Sequence, residues 1–380
     1  MADALLPMAS ARRGGSRLRW SEAAEVGSLR RPFAGQPEWR RLHAGARPLP
    51  VHFFIVPSGI TLERAASLAP DVDWRDFRRG KEVWIVQTFL RLREAGLPVT
   101  MGSDVPKRGV VVFHKEEQRL VLERMPVGAT PVLVSVRGDF RSADAADFEV
   151  LQNGRFSDGR RCFFVPHWPQ PGLIPRDSAR GTRVERIAFK GYIGNLASEL
   201  RGAEFRDFLD RHELTLTEDA VVDDAWSHPI ECDWHDYREV DVALALRPPA
   251  RNGNTHKPAS KLSNAWLAGV PAVLGPEYAY HELRRSPLDY LEVKSVRDAQ
   301  AAILRLKHDP DLYRRMVRNG RQRARDFSVG SVTSAWIEFL FATVPCLAAR
   351  RPEWHYAPTP RGARAWARKA ARVLRGAPRK

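Results

Sequence analysis

Thr255–Tyr280 reads THKPASKLSNAWLAGVPAVLGPEYAY. A proline and a serine lead into an Ala/Leu/Trp-rich segment that stops at Gly269, a short apolar run follows, and the stretch closes on Gly-Pro-Glu. This is the pattern of a helix ended by glycine and followed by a buried strand. Pro258 suits the first helical turn, and Ser260 is placed to satisfy free N–H groups there. Lys257 and Lys261 are four apart and share one face of such a helix, with Asn264 one turn further on. A helix N-terminus already carries partial positive charge, so two lysines there ask for an anion. A solvated basic face is the plain alternative, but the apolar AWLAGVPAVL that follows argues for burial.

Outward from this stretch, strand-like and helix-like segments alternate. VHFFIVPSG (51–59) is a buried strand ending in a turn, and GKEVWIVQTFLRLREAG is a helix closed by Gly96. LPVTMG, GVVVFHKE, TPVLVSVRGD, FEVLQNG and RCFFVP continue as strands. A second alternation starts at ERIAFKGYIGN, passes through DVALALRPP and the opening stretch, and ends with LDYLEVKS and two helices. SVTSAWIEFLFATV, with Trp336, Phe339 and Leu340, reads as a last helix on the body. Such alternation predicts parallel α/β sheets with right-handed crossovers. The Pro-rich 166–175 is the natural linker, so the expectation is two Rossmann-like domains facing across a cleft. The expected boundaries are a mobile basic arm at 1–47, a first Rossmann-like domain at 48–175, a ligand-binding domain at 176–345 and a basic tail at 346–380.

The 380 residues carry a formal net charge of +16. Residues 1–47 hold five net positive charges and 350–380 hold nine, so the chain between them is nearly neutral. This argues against nucleic-acid binding by the body and leaves the ends suited to an anionic membrane surface, or simply solvated. Three scattered cysteines, without a CxxC pair, fit a reducing compartment and neither a disulfide framework nor zinc. The N-terminus lacks the basic start of a secretory signal, and no apolar run approaches the roughly 20 residues of a membrane span. The expected location is the cytoplasm, with peripheral contact at the inner membrane face. No cluster has metal-ligand spacing, and neither a metal nor a cofactor is expected.

In parallel sheets ligands bind beyond the carboxyl ends of strands, where helix N-termini suit phosphate. KGYIGNL (190–196) follows a strand. There Gly191 and Gly194 allow close backbone approach, Tyr192 lies between them, and Asn195 can cap a helix; an ordinary tight turn uses the same residues. Glu277 follows the strand PAVL and suits sugar hydroxyls, or equally a helix start. Arg247 ends DVALALR and can neutralise phosphate or pair with Asp241 or Glu239. His256 and Ser260 flank the lysines. In the first half, His167 and Gln170 sit at the presumed hinge, and Arg137 and Asp139 follow a strand on the acceptor side.

KPASKLSNAWLAGVPAVLGPEYAYHEL, with FKGYIGN before it and DPDLYRRMVRNGRQRARDFS after it, resembles the donor-binding half of GT-B glycosyltransferases over about residues 185–340. The segment around Gly269 is its most specific part. SKLSNA…AGVPAVLGP also looks like the donor segment of the α1,3-fucosyltransferase group, with Lys261 at that group's lysine and Ser260 in place of its glutamate. The resemblance implies metal-independent sugar transfer from a nucleotide-diphosphate sugar to a glycan or lipid-linked acceptor. Lys257, Lys261 and Arg247 would then stabilise the diphosphate. Gly191, Tyr192, Gly194, Asn195, His256, Ser260, Asn264 and Glu277 would hold the donor, and His167, or else Asp139, would orient or deprotonate the acceptor. Asn264 occupies a glutamate position of the Glu-x7-Glu motif of many retaining members. That departure keeps open a nucleotide-sugar-binding protein without transferase activity; a nucleotide-sugar epimerase on the same fold is a further alternative.

Overall fold

The computed structural model describes residues 49–77, 79–140, 142–143, 145–221, 232–249 and 254–349. The expectations for the basic arm, and for the tail beyond Ala349, lie outside these residues. The first sheet contains β1 (Val51–Phe54), β2 (Val99–Gly102), β3 (Val110–His114), β4 (Val132–Val136), β5 (Phe148–Leu151) and β6 (Cys162–Phe164). They lie in the order β2-β1-β3-β4-β5-β6, every pair parallel. The second sheet contains β7 (Arg186–Tyr192), β8 (Thr215–Val221), β9 (Val242–Ala245), β10 (Ala272–Leu274) and β11 (Leu291–Glu292). Its order is β11-β10-β9-β7-β8, again all parallel. The α/β class is therefore as read from the alternation of segments.

Both faces of the first sheet are buried. Val110 and Val112 of β3 point into the main core, and Val111 and Phe113 into a second cluster with Phe54, Val121 and Leu133. That is why β3 and β4 are unbroken apolar runs rather than alternating ones. β8, with its sequence TLTEDAV, was not anticipated. It is the edge strand next to β7, where polar side chains are tolerated. In both sheets the chain builds one side, then crosses to the other, so the order reverses between β1 and β3 and between β7 and β9. The loops leaving those strands flank the crevice where parallel sheets take ligands.

The C-terminal helices return to the first sheet. Trp336 on the helix Val329–Glu338 meets Trp84 edge-on at 6.3 Å, and Phe339 lies 5.2 Å from Phe163. One helical run, Pro310–Ala349, is long and apolar enough by length and composition to cross a membrane, contrary to expectation; 56% of its most apolar window is buried inside the body.

The second sheet is tied to the linker by Asp241, which is fully buried just before β9. It accepts from Arg176 at 2.7 Å, from Arg180 at 2.8 Å and from the N–H groups of Glu185 and Arg186, both at 2.9 Å. Burial alone would raise its pKa, but these donors outweigh burial and hold it below the usual carboxylate range. Asp241→Ala strands two arginines and should cost about 3–5 kcal/mol of stability, read from the urea midpoint. Because the carboxyl pKa is depressed on folding, its contribution is present above the unfolded pKa and fades as pH falls through the folded one.

Candidate functional site

The segment between β9 and β10 decides the site. The helix begins at Ser260, with Ala259 as its cap residue and no side-chain cap, and ends at Gly269 with φ 70°. Lys257 and Pro258 therefore precede the helix. The expectation that Lys257 and Lys261 share one helical face is corrected: Lys257 sits on the turn before it. Its ammonium reaches across to Asp139, 2.5 Å away, on the loop after β4. Ser260 caps nothing; its carbonyl accepts from Ser263 at 3.2 Å.

Lys261 lies at the carboxyl end of β7. Its Nζ donates to the carbonyl of Lys190 at 2.5 Å and lies 4.8 Å from the centre of the Phe189 ring. Desolvation by burial, aided by the charge of Arg247, pushes its pKa down to about 7. The backbone of Gly191 makes room for it. Gly191 has φ 144°, and a Cβ there would sit 2.5 Å from the ammonium. Tyr192 ends β7, and its ring is packed so closely on Gly194 that a Cβ there would meet it at 2.6 Å. Asn195 closes the short turn Ile193–Asn195 and does not cap a long helix; the next helix, Ala203–Arg211, has Gly202 at its cap position.

Arg247 follows β9 and pairs with Glu277, which follows β10, at 2.8 Å; the two side chains are only 7% and 4% exposed. The alternative partners are engaged elsewhere, Asp241 with Arg176 and Arg180, and Glu239 with Arg186. Arg247 Nη1 and Glu277 Oε2 are buried without a hydrogen-bond partner. An orphaned guanidinium N–H beside an orphaned carboxylate oxygen is costly unless a ligand or water completes the set.

The first sheet closes on this region from β5. Gln152 Nε2 donates to the carbonyl of His256 at 2.9 Å and to Asp139 at 2.7 Å. Asn153 Nδ2 donates to the carbonyls of Thr255 at 2.8 Å and Lys257 at 2.9 Å, and the Gly154 N–H reaches Glu282 at 2.7 Å. His256 stacks on Phe156 with ring centres 5.2 Å apart. None of Gln152, Asn153, Phe156 or Glu282 was anticipated. The FEVLQNG turn was visible in the sequence, but its partners lie more than a hundred residues away.

His167 is half-buried, edge-on to Trp84 at 5.0 Å. Its Nδ1 lies 2.7 Å from the Trp168 carbonyl, which can only accept, so Nδ1 carries the proton and Nε2 is free to act as a base. Burial lowers its pKa despite the charge of Asp139. Asn264 Oδ1 accepts from the Gln170 N–H at 3.0 Å, so this pair joins the helix to the linker. Arg137 donates to the Phe140 carbonyl at 2.8 Å. The structure thus brings Lys261, Arg247 and Glu277 together, with Lys257, Asp139 and His256 beside them. Among the described residues no group of three or more His, Cys, Asp or Glu is disposed to hold a metal ion.

No family model matches the sequence, and no curated protein matches it. Solved structures do. The pneumococcal O-GlcNAc transferase GtfA aligns with TM-score 0.40 at 12% identity, over 62% of this chain but only 57% of that one. Sucrose-phosphate synthase from Thermosynechococcus elongatus aligns with TM-score 0.48 at 12% identity, over 77% and 98% of the two chains. AviGT4, a glycosyltransferase of avilamycin A biosynthesis, gives 0.45 at 14%, over 80% and 99%.

Two outcomes test the geometry. Lys261 binds its proton less tightly folded than unfolded, where its pKa is about 10.4, so stability should rise with pH between about 7 and 10. Lys261→Met should flatten that rise in urea titrations at several pH values. Gly191→Ala should displace the ammonium and move the pH window of the same titration upward.

Proposed function

We propose that the chain is a GT-B glycosyltransferase that takes a nucleotide-diphosphate sugar at the carboxyl ends of β7, β9 and β10. The observation that carries the reading is the trio of Lys261, Arg247 and Glu277, with Arg247 Nη1 buried and lacking a partner, at the point where the strand order reverses. It adds to the resemblance carried by residues 185–340.

A diphosphate beside Lys261 favours the ammonium over the amine, so the lysine is charged when the anion is bound. As the bond between the anomeric carbon and the diphosphate oxygen breaks, negative charge grows on the leaving oxygen. Lys261 and Arg247 stabilise that charge, with Lys257 reaching the same region once Asp139 releases it. The carboxylate of Glu277 is suited to a ribose or donor-sugar hydroxyl. An acceptor hydroxyl attacks the anomeric carbon, and its proton passes to Nε2 of His167 or to Asp139. The acceptor is a glycan or lipid-linked sugar approached from the first sheet. The basic ends suit the inner face of an anionic membrane.

The second reading is a nucleotide-sugar binder without transfer. It is favoured by Asn264, which stands at a glutamate position of the Glu-x7-Glu motif and spends its carbonyl oxygen on the linker. Thermal shifts with UDP-, GDP-, ADP- and dTDP-sugars should show one base class raising the melting temperature of the wild type. Lys261→Ala and Arg247→Ala should each weaken that ligand at least tenfold. The reading fails if no nucleotide shifts the wild type. Binding without donor hydrolysis or transfer to any acceptor favours the second reading.

A further inference from the structure

Four large apolar side chains are well exposed among the described residues: Val72, Val127, Phe140 and Phe156. The two aromatic ones lie on loops leaving β4 and β5, and Phe140 directly follows Asp139. Phe156 is 43% exposed, yet its ring is the centre of a built arrangement. His256 from the second sheet stacks against it, with ring planes 30° apart. The guanidinium carbons of Arg137 and Arg155 lie 5.5 and 5.7 Å from its centre. Arg155 is also 5.1 Å from the ring of Tyr278, the residue after Glu277.

Among the described residues neither guanidinium is paired with a carboxylate; that of Arg137 donates to the Phe140 carbonyl. The nearby carboxylates are spent: Asp139 on Lys257 and Gln152, and Glu282 on the Gly154 N–H. Two guanidinium groups therefore converge on one exposed ring with their charge uncompensated, two residues from Asp139 on one side and one residue from Lys257 on the other.

We infer that this rim binds an anionic saccharide, with a sugar ring against Phe156 and a carboxylate, phosphate or sulfate held by Arg137 and Arg155. The inference rests on the glycosyl-transfer reading and names the acceptor's class. A sugar ring presents C–H groups that lie well on an aromatic face, and a guanidinium fork matches a carboxylate or phosphate with two parallel hydrogen bonds. A neutral acceptor would cover both guanidinium groups and leave their charge without an anionic partner, which disfavours it.

The test is calorimetry on the full-length protein at physiological salt. Three probes are compared: a glucuronate-containing tetrasaccharide, its carboxyl-reduced neutral counterpart, and the neutral compound carrying one terminal phosphate. The charged probes should bind at least tenfold more tightly than the neutral one, and their ranking tells carboxylate from phosphate recognition. In the double variant Arg137→Gln/Arg155→Gln, the preference should shrink below about threefold at an unchanged melting temperature. Phe156→Leu should weaken charged and neutral probes alike. Nucleotide-induced thermal shifts on the same samples report the other half of the site. Equal binding of charged and neutral probes overturns the inference, as does failure of every probe to bind. A preference that survives in the double variant also overturns it and assigns the effect to the basic ends of the chain, which the variant leaves intact. A lost nucleotide shift with the charge preference intact would instead remove the glycosyl-transfer reading and keep an anionic-saccharide binder.

Discussion

The second half of the molecule depends on one buried carboxylate. Asp241 receives two arginines from the segment that joins the sheets and two backbone N–H groups from the start of β7, while sitting at the start of β9. It therefore sets where β7 and β9 begin relative to the linker. Because strands rise by a fixed step per residue, it also sets where they end. The functional side chains are at those ends: Lys261 against the Lys190 carbonyl and Arg247 just past β9. A charge buried this deeply is tolerated only because every donor around it is in place.

At the opposite end of the same strands the electrostatics run the other way. Asp241 is over-supplied with positive partners, whereas among the described residues Glu277 pairs with Arg247 and faces Lys261 as well. At one end of the strands two arginines serve one carboxylate as architecture; at the other, Glu277 is matched to Arg247 and leaves Lys261 without an ion pair of its own. A low-dielectric setting enlarges that imbalance, and it is expressed in a lysine whose pKa falls to about 7.

Much of the fold was legible because buried parallel strands are continuous apolar runs bounded by turns. β3, β4 and β9 could hardly be read otherwise. β8 escaped because an edge strand has a solvent side and so carries Thr, Glu and Asp. Within the site, Lys261 could be singled out as a cation at a helix start, and Glu277 because it follows a buried strand. Their partners could not be read with the same ease. Arg247 had local carboxylates in Glu239 and Asp241, and nothing in spacing shows that both are taken by other arginines. Lys257 looked like a helical residue because Pro258 is a good helix starter, yet its ion pair with Asp139 joins positions 118 apart in the chain. Asn153 and Phe156 belong to the same class, since their roles exist only once two sheets meet.

Among the described residues the chain crosses between the sheets twice, once through the proline-rich linker and again where the C-terminal helices bring Trp336 back to Trp84. Two covalent crossings act as the two pins of a door: they suppress sliding and twisting and leave swinging about the line between them as the softest motion. The contacts far from those pins, Asn153 and Gln152 on the carbonyls of residues 255–257, are polar and exchange readily with water. The latch is thus largely polar, with the Phe156–His256 stack as its apolar part.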